Sequence, residues 1–445
     1  MPALLTLLLA LAPAALANPD YDAGVEALKV KDTASAQAAF ESCLKSEPEN
    51  TNCHWELGWV YWVEGRWPEV VRQWEQVQKA DPGRKGLADG LAQARDNVAL
   101  EGMLAKGRAA AAKTYTSTAP VGATVRLRAV GDNMIGTTFP EGYLPPDDAK
   151  GAFAGVSDWL RDADLTFGNL EGPLCDGGET TKCKPDATPG SCYAFRSPGR
   201  YRAIYKDAGF DVMSTANNHA GDFGQECRLQ TEANLDAVGI AHSGRPGDVA
   251  HLTSNGLKIA VIGFHTSDAT HNVNDLETAK LLVAGLAAEN DLVVVSFHGG
   301  AEGSKAIHVP QGPEQFYSEN RGDLRAFTHA VVDAGADLVI GHGPHVLRGM
   351  EVYQDRLIAY SLGNFATYGR FTLSGNLGVG AVLEVVMDRE GRFVSGKLLP
   401  TRQVGEGVVE KDPEPRALDL VRTLSEQDFP ASGVRVAQDG TLGRR

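Results

Sequence analysis

Five short stretches of the chain carry residues able to do acid–base or metal chemistry, and each follows an apolar, β-branched run. Thr124 to Val130 leads into Gly131-Asp132-Asn133-Met134, and Leu165 to Phe167 into Gly168-Asn169-Leu170-Glu171. Val212 to Thr215 leads into Ala216-Asn217-Asn218-His219, with Asp222 close behind. Leu292 to Phe297 runs into His298-Gly299-Gly300-Ala301-Glu302, and Leu338 to Ile340 into Gly341-His342-Gly343-Pro344-His345. Carboxylates, an amide and imidazoles form the donor set of Zn, Mn or Fe hydrolase sites. Singly, each has an ordinary structural explanation. An aspartate after a strand caps a helix or forms a turn, and a lone histidine sits satisfied in a core. Recurrence at successive strand ends points instead to one shared site, because open α/β sheets bind ligands beyond the carboxyl ends of their strands.

Such residues need a scaffold that makes distant strand ends converge. From residue 124 onward, apolar runs alternate with helical stretches such as Arg200 to Gly209, Glu226 to Val238 and Arg321 to Ala334. That alternation predicts an α/β layered domain over residues 124–405. Residues 406–445 are expected to form one helix, Pro415 to Gln427, and a loose tail. Residues 113–123, rich in Ser, Thr, Pro and Gly, read as a linker. Upstream, Gly24 and Gly58, Phe40 and Trp74, and Pro48 and Pro82 share a step of about 34 residues, the period of tetratricopeptide repeats. Residues 20–112 are therefore expected to form two helical repeats, with Gly86 to Lys113 as a capping helix. A unit of this kind binds a protein partner or packs on its neighbour rather than catalysing.

With 445 residues, 43% hydrophobic and 22% charged, the chain is long enough for two domains with real cores. Its formal net charge of −15 argues against general binding to nucleic acid or to an anionic membrane surface. A polyanionic substrate would need a local cation to receive it. Residues 1–17 read as a secretory signal, with an apolar run Leu4 to Leu11 and Ala15-Leu16-Ala17 before Asn18. Export to the periplasm or the cell exterior follows as an expectation, with no transmembrane segment after cleavage. Six cysteines suit an oxidising compartment and lack the CxxC spacing of zinc knuckles. The simplest pairing is Cys43–Cys53 plus two bridges among Cys175, Cys183, Cys192 and Cys227.

The segments GDNM, GNLEGPL, ANNHAGDFG, FHGGAE, GADLVIGHGPHVLRGMEVY and YSLGNF resemble the motif series of the CapA family. That family is named for poly-γ-glutamate capsule synthesis and is similar to the calcineurin-like metallophosphoesterases. The resemblance covers roughly Val125 to Leu399 and implies a four-layer α/β/β/α metallophosphatase-like sandwich. It further implies that Asp132, Glu171, Asn218, His298, His342 and His345 hold one or two divalent ions (Mn, Zn or Fe). His219 would protonate a leaving group, with Asp222 orienting it. One departure concerns the first motif, which in the phosphoesterases is Asp-x-His. Here Met134 stands at the third position, and a thioether is a poor ligand for a hard cation. Glu302, Asn364, Arg196 and Arg348 are candidates for contacting an anionic substrate, and His265 ends a strand near the cleft. The leading expectation is a metal-dependent hydrolase of an anionic envelope polymer, amide or phosphoester. The alternative is a non-catalytic assembly factor that grips the polymer and recruits partners through its repeats. A third reading keeps the fold and uses His219 for proton transfer without metal.

Overall fold

The computed structural model describes residues 18–110, 115–180, 182–183 and 192–445. The expected signal, residues 1–17, lies outside them, as do Lys113 and Thr114 of the expected linker and Cys183–Cys192 loop residues 184–191. The chain divides into two compact units, one up to Val98 and one from Ala99 onward. Among the described residues, no helix is long and apolar enough to cross a membrane.

The first unit consists of α1 (Pro19–Lys29), α2 (Thr33–Ser46), α3 (Thr51–Val63), α4 (Trp67–Ala80) and the first part of α5 (Leu87–Ala109). Asn18, Asp32 and Asn50 cap α1, α2 and α3 by accepting backbone N–H bonds. The repeat step is visible as the same contact made twice. A Cβ on Gly24 would lie 2.5 Å from the Phe40 ring, and one on Gly58 would lie 2.0 Å from the Trp74 ring. Each helical hairpin closes only because a glycine faces an aromatic ring. Trp74 is fully buried, with the rings of Trp55, Trp59 and Trp62 packed 5.0–5.3 Å from it. The Cys43–Cys53 disulfide ties α2 to α3.

The second unit runs through β1 (Thr124–Met134), α6 (Ser157–Arg161), β2 (Leu165–Leu170), α7 (Arg202–Ala208), β3 (Val212–Ser214), α8 (Gly224–Asp236), β4 (Ala241–Ser243) and β5 (Ala250–Ser254). It continues with β6 (Leu257–His265), β7 (His271–Asn272), α9 (Leu276–Ala287), β8 (Leu292–His298), β9 (Glu314–Phe316), β10 (Glu319–Gly322), α10 (Leu324–Asp333) and β11 (Leu338–His342). The last elements are β12 (Met350–Tyr353), β13 (Arg356–Ala359), β14 (Asn364–Thr367), β15 (Val379–Asp388), β16 (Phe393–Val404), β17 (Val408–Lys411), α11 (Arg416–Asp428), β18 (Arg435–Val436) and β19 (Thr441–Gly443). One sheet has the order β18-β19-β16-β15-β1-β2-β3-β4, with β14 on β1 and β17 on β16. The other has the order β12-β13-β11-β8-β6-β5, with β7 on β6.

The two sheets face each other across the main core. Val125, Leu127 and Ala129 of β1 and Leu165 and Phe167 of β2 meet Leu257, Ile259 and Val261 of β6 and Leu292 and Val294 of β8. Alternate residues of the same strands point outward. Ala260, Ile262, Phe264, Val293 and Val295 pack with α9 and α10, and Val130 packs with residues of α6, α7 and α8. Burial on both faces explains why these strands read as unbroken apolar runs. Fully burying one such side chain stabilises the fold by about 1.5–3 kcal/mol. The architecture is the expected α/β/β/α sandwich, preceded by a helical unit. One expectation fails: the C-terminal tail is not loose. α11 places Ala417, Leu418 and Val421 in the main core, and β19 pairs with β16, Gly396 opposite Leu442. The sequence looks polar there because only one face of α11 is apolar.

Candidate metal centre

Register brings the chemistry together. In the second sheet, His265, His298 and His342 lie side by side at the ends of three neighbouring parallel strands. All three share the parity of the inward-facing Leu257, Leu292 and Leu338, so period-two geometry turns them toward the space between the sheets. In the first sheet, Asp132 is level with Asn169 and Asn364, and Asn169 with Ser214. Glu171, two residues beyond Asn169, falls on the same face. Two glycines permit the crowding. A Cβ on Gly131 would meet the Gly363 carbonyl oxygen at 1.9 Å, and one on Gly343 would meet that of Gly299 at 2.5 Å. The Gly343 turn leaves His345 in the left-handed region at φ 62°, a strained conformation for a non-glycine residue.

Asp132, Glu171 and His298 are fully buried, and each offers a ligand atom within 4.8 Å of the others. His345 Nδ1 lies 2.9 Å from Asp132 Oδ2, and His342 Nδ1 3.5 Å from Asp132 Oδ1. His298 Nδ1 lies 3.5 Å from Glu171 Oε2. The Asn169 amide donates to both carboxylates, at 2.8 Å to Asp132 and 2.7 Å to Glu171. His219 Nε2 faces Glu171 at 3.9 Å, while its Nδ1 lies 2.6 Å from Asp222 Oδ2. Asp222 is itself fixed by the Phe195 N–H at 2.8 Å and by Lys182 Nζ at 2.6 Å.

The electrostatics are those of buried acids and imidazoles packed against one another. Burial, then the charge of Asp132, pushes Glu171 up to about 8. Burial also opposes ionisation of Asp132, but the close ring nitrogens of His342 and His345 outweigh it and hold that carboxyl well below its usual range. Burial opposes the charge on His345, yet Asp132, Glu171 and Glu302 together raise it to about 9. Burial depresses His298 strongly, takes His265 down to about 3, and lowers His219 despite Asp222. Several lone pairs are also orphaned. Glu171 Oε1, Asn218 Oδ1, His298 Nε2 and both ring nitrogens of His342 are buried without a hydrogen-bond partner. Native proteins leave few such atoms, and a cluster of them in one place suits the ligand set of a divalent cation. The mixed N and O donors suit Zn, Mn or Fe. Met134 takes no part, packing instead against Gly172.

The expected substrate residues fare differently. Glu302 is close to the centre, its Oε2 lying 3.9 Å from His345 Nε2. Asn364 is buried and gives its amide to the Leu377 carbonyl at 3.2 Å, with Oδ1 unpartnered. Arg348 is a correction. It is completely buried and doubly bonded to Glu314, at 2.8 Å each, with Nε on the Ala306 carbonyl, so it anchors a loop and receives no substrate. Arg196 is half-buried, and its contacts are to neutral groups. Its Nε donates to Thr138 Oγ1, its Nη1 to the Gly178 carbonyl, and its guanidinium lies 4.7 Å over the Phe223 ring.

Sequence alone assigned no role to Asn169, Asn217, Lys182 or Arg321. Asn217 donates to Leu170 O at 2.8 Å and accepts from the His219 N–H at 3.0 Å, shaping the turn that presents Asn218 and His219. Arg321 holds Glu302 at 3.0 Å. Asn169 was detectable, because it precedes Glu171 by two residues on one strand face. Lys182 carried no signal beyond its place beside Cys183. Cys175–Cys227 and Cys183–Cys192 are the two bridges of this unit.

Residues 126–368 match the family model described as "Bacterial capsule synthesis protein PGA_cap". Over 256 residues the chain is 30% identical to the capsule biosynthesis protein CapA of Bacillus anthracis, covering 53% of this chain and 58% of that one. It is likewise 30% identical over 254 residues to the PGA biosynthesis protein CapA of Bacillus subtilis (strain 168), covering 53% and 61%. A probable polyglutamine synthesis accessory protein of Mycobacterium tuberculosis is 26% identical over 228 residues, covering 45% and 55%. The matches thus span 55–61% of the length of these relatives.

Proposed function

Since the chain belongs to the bacterial capsule synthesis protein family PGA_cap, we propose that it is an exported, metal-dependent hydrolase acting on an anionic envelope polymer of the poly-γ-glutamate type. The observation that carries this reading is the buried trio Asp132, Glu171 and His298, whose ligand atoms lie within 4.8 Å of one another beside orphaned lone pairs. Asn218, His342 and His345 complete the donors that would hold a divalent cation, one or two in number. Such an ion, when bound, polarises a carbonyl or phosphoryl group and lowers the pKa of water. Three disulfides support export to an oxidising compartment.

The protein's own residues supply orientation and proton handling. Asp222 takes the Nδ1 proton side of His219 and leaves Nε2 facing the centre. Burial keeps the ring neutral at rest, so Nε2 accepts a proton before it returns one to a leaving group. Phe195 packs on the His219 ring, 4.2 Å between centroids, and helps to fix its orientation. Asn169 holds the two carboxylates at fixed separation. A second reading, the non-catalytic assembly factor, is favoured by the helical repeats and by the word "accessory" in the mycobacterial relative's description.

Purified protein, analysed for metal and incubated with poly-γ-glutamate, discriminates these readings. The hydrolase retains Mn, Zn or Fe and shortens the polymer, and chelation or His298→Ala stops both. If polymer binding persists in the stripped and substituted protein and no shortening ever occurs, the assembly reading replaces it.

A further inference from the structure

An anionic polymer approaching this centre meets Asp132, Glu171, Asp222 and Glu302, in a chain of net charge −15. It therefore needs a cation outside the metal itself. Arg348 serves Glu314, Arg196 serves carbonyls and Thr138, Arg321 serves Glu302 and Glu319, and Lys182 serves Asp222. Arg370 differs in having, among the described residues, a single long hydrogen bond and two tyrosine rings against its guanidinium. Its guanidinium lies 5.1 Å over the Tyr143 ring and 5.0 Å over the Tyr193 ring. Its one hydrogen bond among the described residues goes to the Cys192 carbonyl, at 3.4 Å, and among those residues no carboxylate comes within ion-pair distance. It is half-buried, while Tyr193 is 42% exposed.

Its position joins it to the centre through a wall of rings. Phe371, the next residue, lies 5.6 Å from the His345 ring and 5.3 Å from Phe195. Phe195 in turn lies 4.2 Å from His219 and 6.5 Å from Tyr193. Arg370 thus sits at the outer end of an aromatic wall whose inner end touches both His219 and His345. A guanidinium gripped by two tyrosines loses little further side-chain entropy on binding, and its planar fork matches a carboxylate. Arg370 also lies beyond the stretch that matches the family model, residues 126–368.

We propose that Arg370, held between Tyr143 and Tyr193, is the specificity-determining cation that receives a carboxylate of the polymer next to the reacting unit. This rests on the polymer reading above. It explains how an acidic protein selects an acidic chain: the metal would bind the reacting group, and one stacked guanidinium would read the neighbouring charge. An uncharged chain of the same backbone would gain nothing from it.

The test measures binding of poly-γ-glutamate, and separately of the same polymer with its α-carboxylates converted to carboxamides, to full-length protein loaded with Mn, before and after Arg370→Ala, Arg370→Lys and Tyr143→Leu. Thermal melting and metal content are recorded for every variant. Arg370→Ala is expected to weaken poly-γ-glutamate binding by about tenfold or more at moderate salt, the worth of a charge-assisted bidentate pair. Arg370→Lys keeps the charge but loses the fork and falls between, as does Tyr143→Leu, while metal content and melting stay unchanged. Binding of the carboxamide polymer is the same for all. Undiminished poly-γ-glutamate affinity in Arg370→Ala overturns the Arg370 assignment and leaves the metal centre standing. Failure of the unaltered, metal-loaded protein to bind the polymer overturns the Arg370 assignment and the polymer reading together.

Discussion

The two sheets reach the candidate centre with different chemistry. The first contributes oxygen: Asp132 and Glu171, and the amides Asn169 and Asn364, grouped at the ends of β1, β2 and β14. The second contributes nitrogen: His265, His298 and His342 in one row, and His345 in the turn beyond. Neither half is a site alone. Burial, then repulsion from Asp132, holds Glu171 up to about 8, and burial depresses the imidazoles of His298 and His265. Facing each other, they make a pocket that a cation completes. Shared ownership also explains the supports behind each half, Asn169 bridging the oxygens and the Arg348–Glu314 pair anchoring the loop after His345.

The largest effect is expected from removing that anchor. Arg348→Ala strands the buried Glu314 carboxylate and should cost about 3–5 kcal/mol of stability, read as a lower denaturation midpoint. An unchanged midpoint would restore Arg348 to the substrate. Next come the ligands themselves, one from each sheet. Glu171→Gln and His298→Ala should each weaken metal binding by roughly a hundredfold or more, beyond what changes to supporting residues usually cost. Competition with a chelator of known affinity measures both, and a loss confined to one of them would assign the ion to a single sheet.

Acidity sharpens the comparison from the oxygen side. In the metal-free protein Glu171 keeps its proton up to about 8, whereas unfolded it releases it near 4.5. The native state therefore holds the extra proton in that window, so metal-free stability should fall as pH rises from 4.5 toward 8. Metal must displace that proton and the one His345 holds up to about 9, so metal affinity should rise over that window by about tenfold per pH unit for each proton exchanged. A flat affinity profile between pH 5 and 8 would remove Glu171 from the ligands. The smallest change expected is for Asn169→Ala, roughly tenfold weaker metal binding overall, because it loosens the carboxylates without removing one.

Much of the centre is legible in the sequence. Asp132, Glu171, His298, His342 and His345 each follow an apolar run, and the period of two assigns their faces. The helical repeat is legible for the same reason, since Gly24 with Phe40 and Gly58 with Trp74 are local contacts at a fixed step. Arg348 misleads because its partner, Glu314, sits 34 residues earlier on a small hairpin, and charge alone does not show whether an arginine is buried. The tail misleads because a helix with one apolar face looks polar when its residues are counted without regard to period.

Residue order by itself determined which atoms are available and in which direction they point along each strand, because side-chain alternation and glycine–aromatic pairing act over a few residues. Only the tertiary structure decided which of them share a pocket and which cations carry an ion pair among the described residues, as Arg348 does and Arg370 does not. Those outcomes depend on burial and on charges from distant segments. Both are properties of the packed sheets, and neither exists until the sheets meet.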